Sequence, residues 1–444
     1  TAHAIAGAEA ALKVGAPSEA ESVLAAISRQ PIAASSKLRA DLLLAKALLD
    51  QSKAEVALPI LDHLVREPTL SLRDTAEITR MQATAICLAN RDQGQNYVEA
   101  AEKAVTTARL AGDVELVARA LFEHARSGVE AGNEALVWAS LSEIDRLLTD
   151  PAGAQLPILH YAQGVCHFFF SSIRAAARSL ERAKDLLAAG HSVTELSYVY
   201  NGYGNCKQYL CEFTAAREAY FAGLEVAKRI GDDSRASIIC ANLCTLLVTM
   251  GDYQAAVQFG LQSVRFGSRA FNQPSLWIAF TCLAEAYILA GNRTAAMESL
   301  ERARELVNSS VNWSASVQFA CQAAGIALVM GELERALSLI GAAEESACGK
   351  ELIVPNAGLF EKLKLFRAAH MSGPTAALAG VEPAKAKFRG CQPFYYLDVL
   401  SAAAWIEKQA FGVYTTATAR ELEAFKTPAL VGWRAWETAA GFLS

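Results

Sequence analysis

The stretch GDYQAAVQFG, Gly251 to Gly260, decides the fold. It opens on glycine and aspartate, places an aromatic third and an alanine sixth, and continues as an apolar-periodic helix. Four other segments share this design: SSIRAAARSL from Ser171, CEFTAAREAY from Cys211, GNRTAAMESL from Gly291 and GELERALSLI from Gly331. Successive starts are 40 residues apart each time. Seven positions before each start lies a small residue or cysteine: Gly164, Gly204, Cys244, Ala284 and Ala324. Five positions after it stands Ala176, Ala216, Ala256, Ala296 or Ala336, and twelve after it Ala183, Gly223, Ser263, Ala303 or Ala343. Small columns held through five copies mark where two antiparallel helices, and then the next pair, approach too closely for larger side chains.

Each unit reads as a helix pair. A first helix from Asp232 to Met250 carries Ile239, Leu243 and Leu247 at helical spacing. Gly251 supplies the left-handed stop and Asp252 the cap of a second helix, from about Tyr253 to Phe266. Fainter copies lie upstream: Ala8, Gly15, Ala20 and Leu24, then Ala45, Ala57 and Leu61. The segment from Met81 to Ala108 fits with an insertion around Arg91–Asn96, and the unit centred on Gly132 fits with a slip of about one residue. After about Glu345 the pattern decays, and Pro355, Gly373-Pro374, Pro383, Pro393 and Pro428 are expected to break the remainder into shorter helices. At this period the 444 residues make an all-α solenoid of about eleven antiparallel helix pairs. Residues 1–350 form the repeat array, and 351–444 are degenerate helical repeats or a capping subdomain.

Composition agrees. Of the chain 52% is apolar, much of it alanine, and it holds only 12 prolines. That disfavours disorder and a turn-rich β protein. The net charge of −5 provides no basic field, so direct nucleic-acid contact by this segment is not expected. No stretch approaches the roughly 18 apolar residues of a membrane span, and no secretory leader is visible, so the expected setting is cytoplasmic with its ten cysteines reduced.

Gly251, Tyr253, Ala256 and Ser263 resemble the tetratricopeptide repeat, whose usual period is 34 residues. The resemblance implies a right-handed superhelix. The linking segment AKRIGDDSRASIICANL, Ala227 to Leu243, resembles the longer repeat of the maltose-regulon activator and its relatives. These are large LuxR-type ATP-binding transcription regulators, within the signal-transduction ATPases with numerous domains. AEAALKVGAPSEAESVLAAI, Ala8 to Ile27, and LRADLLLAKALLDQSKAEVALPIL, Leu38 to Leu61, look like their first repeats. Neither a G-x-x-x-x-G-K-[ST] phosphate loop nor a helix-turn-helix is apparent, so the resemblance implies the sensor part of a bacterial signalling or transcription regulator.

No motif carries catalysis. His160 and His167 share a helix face beside Cys166, but no third ligand stands at helical spacing, and no nucleophile elbow or H-E-x-x-H occurs. No enzyme activity, metal or cofactor is expected. In tetratricopeptide superhelices the concave face falls one, three and six residues before the small column and one, four and five after it. Applied to the middle repeats, this places Tyr161, Tyr198, Asn201, Asn205, Gln208, Tyr209, Thr245, Thr281 and Glu285 in a groove, with Asn242 beside them. An amide offers one donor and one acceptor and so matches one peptide group, which makes Asn205 and Asn242 candidates for holding an extended peptide. Asn201, Ile278 and Cys282 stand where a carboxylate clamp would need cations. Lys207 either snorkels or anchors an anion. The expected function is a non-catalytic sensor that binds a protein, a peptide or a small-molecule effector; a scaffold for complex assembly and a peptide pheromone receptor are the alternatives.

Overall fold

The computed structural model describes the chain apart from residues 1, 30–31, 69, 90–94, 171, 191–193, 271–275, 309–312, 349–355, 390–392, 426–429 and 443–444. The start at Ser171, most of the insertion after Arg91, Pro355, Pro428 and the expected boundary at 350 lie outside the described residues. Within them the chain forms 23 α-helices and no strand. Twenty-two of these alternate as eleven pairs, from Ala2–Lys13 with Pro17–Ser28 to Pro393–Phe411 with Thr416–Glu423, and Val431–Ala439 follows.

The repeat columns explain the packing. Cys244, Ala284 and Ala324, all five alanines of the second column, and Ala183, Ser263, Ala303 and Ala343 of the third are fully buried. A Cβ at Gly164 would stand 2.7 Å from Leu180 Cγ, and one at Gly204 would stand 2.6 Å from the Tyr220 ring. The helices therefore meet at distances that only glycine allows. Ser263 keeps its column polar at no cost: its Oγ donates to the Ser237 carbonyl (2.7 Å), and Ser237 Oγ donates to the Ser263 carbonyl (2.8 Å). At the turn, Gly251 has φ +84°, its N–H donates to the Val248 carbonyl, and Asp252 N–H donates to the Leu247 carbonyl (2.9 Å). Asp252 Oδ1 then caps the next helix through the Ala255 N–H.

Pro383 departs from expectation. It lies inside the helix Pro374–Phe388 rather than ending it. Burial of Val381, Ala384 and Phe388 on that helix outweighs the roughly 3 kcal/mol that an interior proline costs.

The chain divides into two compact units. Unit 1 comprises Thr1–Gly204, Ala219–Ala236 and Phe266–Pro274; unit 2 comprises Asn205–Glu218, Ser237–Arg265 and Ser275–Ser444. In unit 1 the repeats curl back on themselves. Ser52 Oγ, in the second repeat's turn, donates to Asp232 Oδ1 (3.3 Å), and Gly231, at φ +73°, lies against Ser18.

Candidate functional site

The curl of unit 1 encloses a cavity of about 700 Å³. The register that places Tyr161 and Tyr198 inward also accounts for the walls contributed by the first four repeats. Taking the buried alanines Ala8, Ala45, Ala83 and Ala125 as small columns, the inward offsets fall on Glu9 and Lys13, Lys46 and Asp50, Glu77 and Arg80, and Arg119, Phe122 and Arg126. All of these line the cavity. Tyr161, with its ring centroid 5.0 Å from that of Phe122, and Tyr198 line it from the fifth and sixth repeats.

The charges in this lumen are organised. Glu77 accepts from Arg80 Nη2 (2.9 Å) and Nε (3.2 Å). Burial works against ionisation of Glu77, but the charge and hydrogen bonds of Arg80 hold its carboxyl down to about 2. Arg119 donates to Glu115 (2.9 and 3.1 Å) and also to Glu195. Arg126 donates to Glu123 (2.7 Å) and to the Tyr97 hydroxyl (2.7 Å), and Glu123 further accepts from Thr84 and Tyr97. The guanidinium of Arg235 lies 3.6 Å from the Tyr198 ring centroid, and its Nε is buried without an acceptor. Burial pushes the Tyr161 hydroxyl up to about 12 and Asp50 up to about 6. Cys87, on the same helix as Arg80, is pushed up to about 11 by burial, so its thiol stays protonated at neutral pH.

The other groove candidates fall mostly in unit 2. Asn242 Nδ2 donates to Asn205 Oδ1 (3.1 Å). Gln208 is buried, and Tyr209 packs on Tyr395 (4.9 Å between centroids) and Phe394 (6.3 Å). Thr245 Oγ1 bonds the Ala241 carbonyl and Cys282 Sγ, and buried Thr281 bonds the Trp277 carbonyl (2.7 Å). Glu285 is pushed up to about 7 by burial, with the charge of Asp398 adding to the shift. Asn201, in unit 1, is buried. Lys207 pairs with Glu212 (2.6 Å).

In unit 2 the chain's own C-terminal helices lie on the inward columns. Trp436 sits over Gly325, one residue past the small column of its repeat, and the backbone of Gly432 abuts Val248 and Gly251. Lys362 and Glu437 form a fully buried ion pair behind that helix. The nine cysteines described are free thiols, and no cluster of three or more His, Cys, Asp or Glu among the described residues could hold a metal ion. His160 Nε2 instead contacts the Ala154 carbonyl (3.0 Å). No helix among the described residues is long and apolar enough to cross a membrane.

No protein-family model and no curated protein matches the sequence. Solved structures do. The chain is 11% identical to a Rap protein complexed with competence and sporulation factor, covering 91% of this chain and 98% of that one at a TM-score of 0.55. It is 12% identical to NprR in complex with its cognate peptide NprX, covering 74% and 93% at a TM-score of 0.52. The fold is a tetratricopeptide-like helical repeat stack. A signal transduction ATPase with numerous domains from Pyrococcus horikoshii, with a tetratricopeptide repeat sensor, is 15% identical, with 92% of this chain and 54% of that one covered at a TM-score of 0.40. Identities at this level are likenesses of fold.

Within this tetratricopeptide-like stack, the sequence assigns inward positions only from the fifth repeat onward. The charged wall of repeats one to four went unnoticed because insertions and a slip blur those copies. Charge runs on a helix also look like a solvated face. Aligning Ala83 and Ala125 as column residues is the signal that finds it.

Proposed function

We propose that this chain is a non-catalytic sensor module of a bacterial signalling or transcription regulator, and that its ligand, a small polar molecule or short peptide, occupies the lumen of unit 1. The observation that carries this reading is the lumen itself. Its volume falls in the range of roughly 300–1,000 Å³ typical of ligand sites, and the inward faces of the first helices of repeats one to six supply most of its wall. Most of its charged groups are held in ion pairs, which reduces the ordering cost of binding. NprR, a protein of the same fold, holds its cognate peptide, and the Rap protein holds competence and sporulation factor, which is compatible with this reading. The peptide-holding role of Asn205 and Asn242, and the assignment of Tyr209, Thr245, Thr281 and Glu285 to a groove, remain proposals beside it. The cytoplasm suits its free thiols.

A scaffold without a small ligand is the second reading, favoured by the way unit 2 takes a helix onto its inward columns. Thermal-shift screening with metabolites and short peptides separates the two. A lumen ligand at about 100 times its Kd stabilises by roughly 2.7 kcal/mol. Leu43→Trp, which narrows the lumen from the second repeat on the same helix as Asp50, should reduce that shift. A panel without any stabilising compound, together with capture of a defined partner protein, would favour the scaffold.

A further inference from the structure

Seven carboxylates line the lumen of unit 1, and six have a cationic partner. Glu9 pairs with Arg39, Glu77 with Arg80, Glu123 with Arg126, and Glu115 and Glu195 with Arg119. Asp113 caps its helix and pairs with Arg73. Among the described residues Asp50 alone of the seven accepts no hydrogen bond and has no cation within ion-pair distance. It is the last residue of the helix Ala34–Asp50, at the inward offset of the second repeat. Lys46, one turn earlier, acts on it only at longer range. A half-buried carboxylate without a partner carries an uncompensated desolvation cost. An ammonium group arriving in the lumen would remove that cost.

The complementary groups are also present. Arg80 uses Nε and Nη2 on Glu77, and Arg126 uses Nε on Tyr97 and Nη2 on Glu123. Each leaves Nη1 without a protein acceptor, and neither Nη1 is sealed away from solvent. Arg119, by contrast, has all three nitrogens engaged. The lumen thus offers one unpaired acceptor and two unspent guanidinium edges. Aromatic surface from Phe122, Tyr161 and Tyr198 is also available to an apolar body.

We infer that the lumen recognises a zwitterionic amine–carboxylate, with the ammonium on Asp50 and the carboxylate on the free edges of Arg80 and Arg126. This rests on the lumen being the binding site, as proposed above. An unmodified short peptide satisfies the chemistry, and so does a free amino acid large enough to bridge the two poles. Burial pushes the Asp50 carboxyl up to about 6, as expected of a carboxylate that lacks a counter-ion of its own.

The test uses a randomised tripeptide library and single amino acids, each in free, N-acetylated and C-amidated form. Binding is measured by thermal shift and by calorimetric titration of the hits. Free forms are expected to bind. N-acetylation and C-amidation should each weaken them by about tenfold or more, the strength of one charge-assisted hydrogen bond. Asp50→Asn should weaken free ligands similarly and erase the penalty of N-acetylation while keeping that of C-amidation. Equal binding of free and N-acetylated forms to the wild type overturns the assignment without recourse to any variant. So does undiminished binding of free ligands to Asp50→Asn, or a library that holds no binder. Leu43→Trp separates the two layers of the argument. Hits that ignore Leu43→Trp, Asp50→Asn and Arg80→Ala alike bind elsewhere and sink the lumen reading as well, whereas hits weakened by Leu43→Trp but indifferent to Asp50→Asn sink only the ammonium site.

Discussion

In unit 1 the inward columns end in Lys46, Asp50, Arg80, Arg119 and Arg126, and open space remains between them. In unit 2 the same columns end in Tyr209, Val248, Glu285 and Gly325, and helices Pro393–Phe411 and Val431–Ala439 lie over them. One repeat design therefore leaves a lumen uncovered by the chain's own helices in one unit and fills it with them in the other. The side chains at those offsets account for the difference. Paired charges resist being covered, because an apolar helix laid on them would remove their water without replacing its hydrogen bonds. Small and apolar residues carry no such cost: Gly325 admits the Trp436 ring, Val248 admits a glycine backbone, and covered Glu285 is pushed toward its neutral form.

The filled unit rests on one buried charge pair, and the largest expected effect is there. Glu437→Ala leaves Lys362 charged and sealed from water, at a cost of about 3–5 kcal/mol. Urea unfolding followed by tryptophan fluorescence checks this, since Trp433 and Trp436 flank Glu437. The double variant Lys362→Met, Glu437→Leu should recover most of the loss, because apolar side chains of similar volume do not need the pair. A Glu437→Ala protein as stable as the wild type would mean that the C-terminal helix is not firmly seated, and the contrast between the units would weaken.

The two units also differ in pH response. Burial pushes Asp398 in unit 2 up to about 7, opposed by Lys362 and assisted by Glu437. A carboxyl raised in the folded state holds a proton there that it gives up on unfolding. Between about pH 4 and 7 the folded chain therefore binds more protons, and this contribution to stability is full below the unfolded value and lost as pH rises through 7. The slope from one group is at most about 1.4 kcal/mol per pH unit. Asp398→Asn should flatten that part of the unfolding midpoint's pH profile, whereas Asp50→Asn should act in the same direction over a window that closes near pH 6. A wild-type and Asp398→Asn difference that does not vary between pH 5 and 8 would show that the group is not desolvated.

How much of this was legible beforehand follows the same division. The period, the helix pairs and the inward offsets were readable because close packing demands small residues at fixed spacing, and Ala176 or Ala256 tolerates nothing larger. By the same offsets Tyr161 and Tyr198 fall on the inward face, and both line the lumen. The lumen's charges were not recognised, since Arg80 or Arg119 on a helix has no periodic signature separating a shared cavity from bulk solvent. The covering of unit 2 was not readable at all. Gly432 against Val248 and Trp436 over Gly325 are contacts across more than a hundred residues, and no repeat records them.

The smallest expected effect concerns the amide pair that the sequence made prominent. Asn242 donates to Asn205 within unit 2, so Asn242→Ala removes one partly buried hydrogen bond and should cost about 1 kcal/mol. Asn205→Ala should cost a similar amount, and the double variant should cost clearly less than the two together, because both changes remove the same bond. A double-mutant cycle in urea measures that coupling. Calorimetry with a lumen ligand supplies the discriminating half of the experiment. If the pair joins neighbouring repeats and the ligand sits in unit 1, Asn242→Ala leaves affinity unchanged while lowering stability. If affinity falls and stability does not, the amides hold ligand as the sequence suggested, and unit 2 is less fully occupied by its own helices than its packing implies.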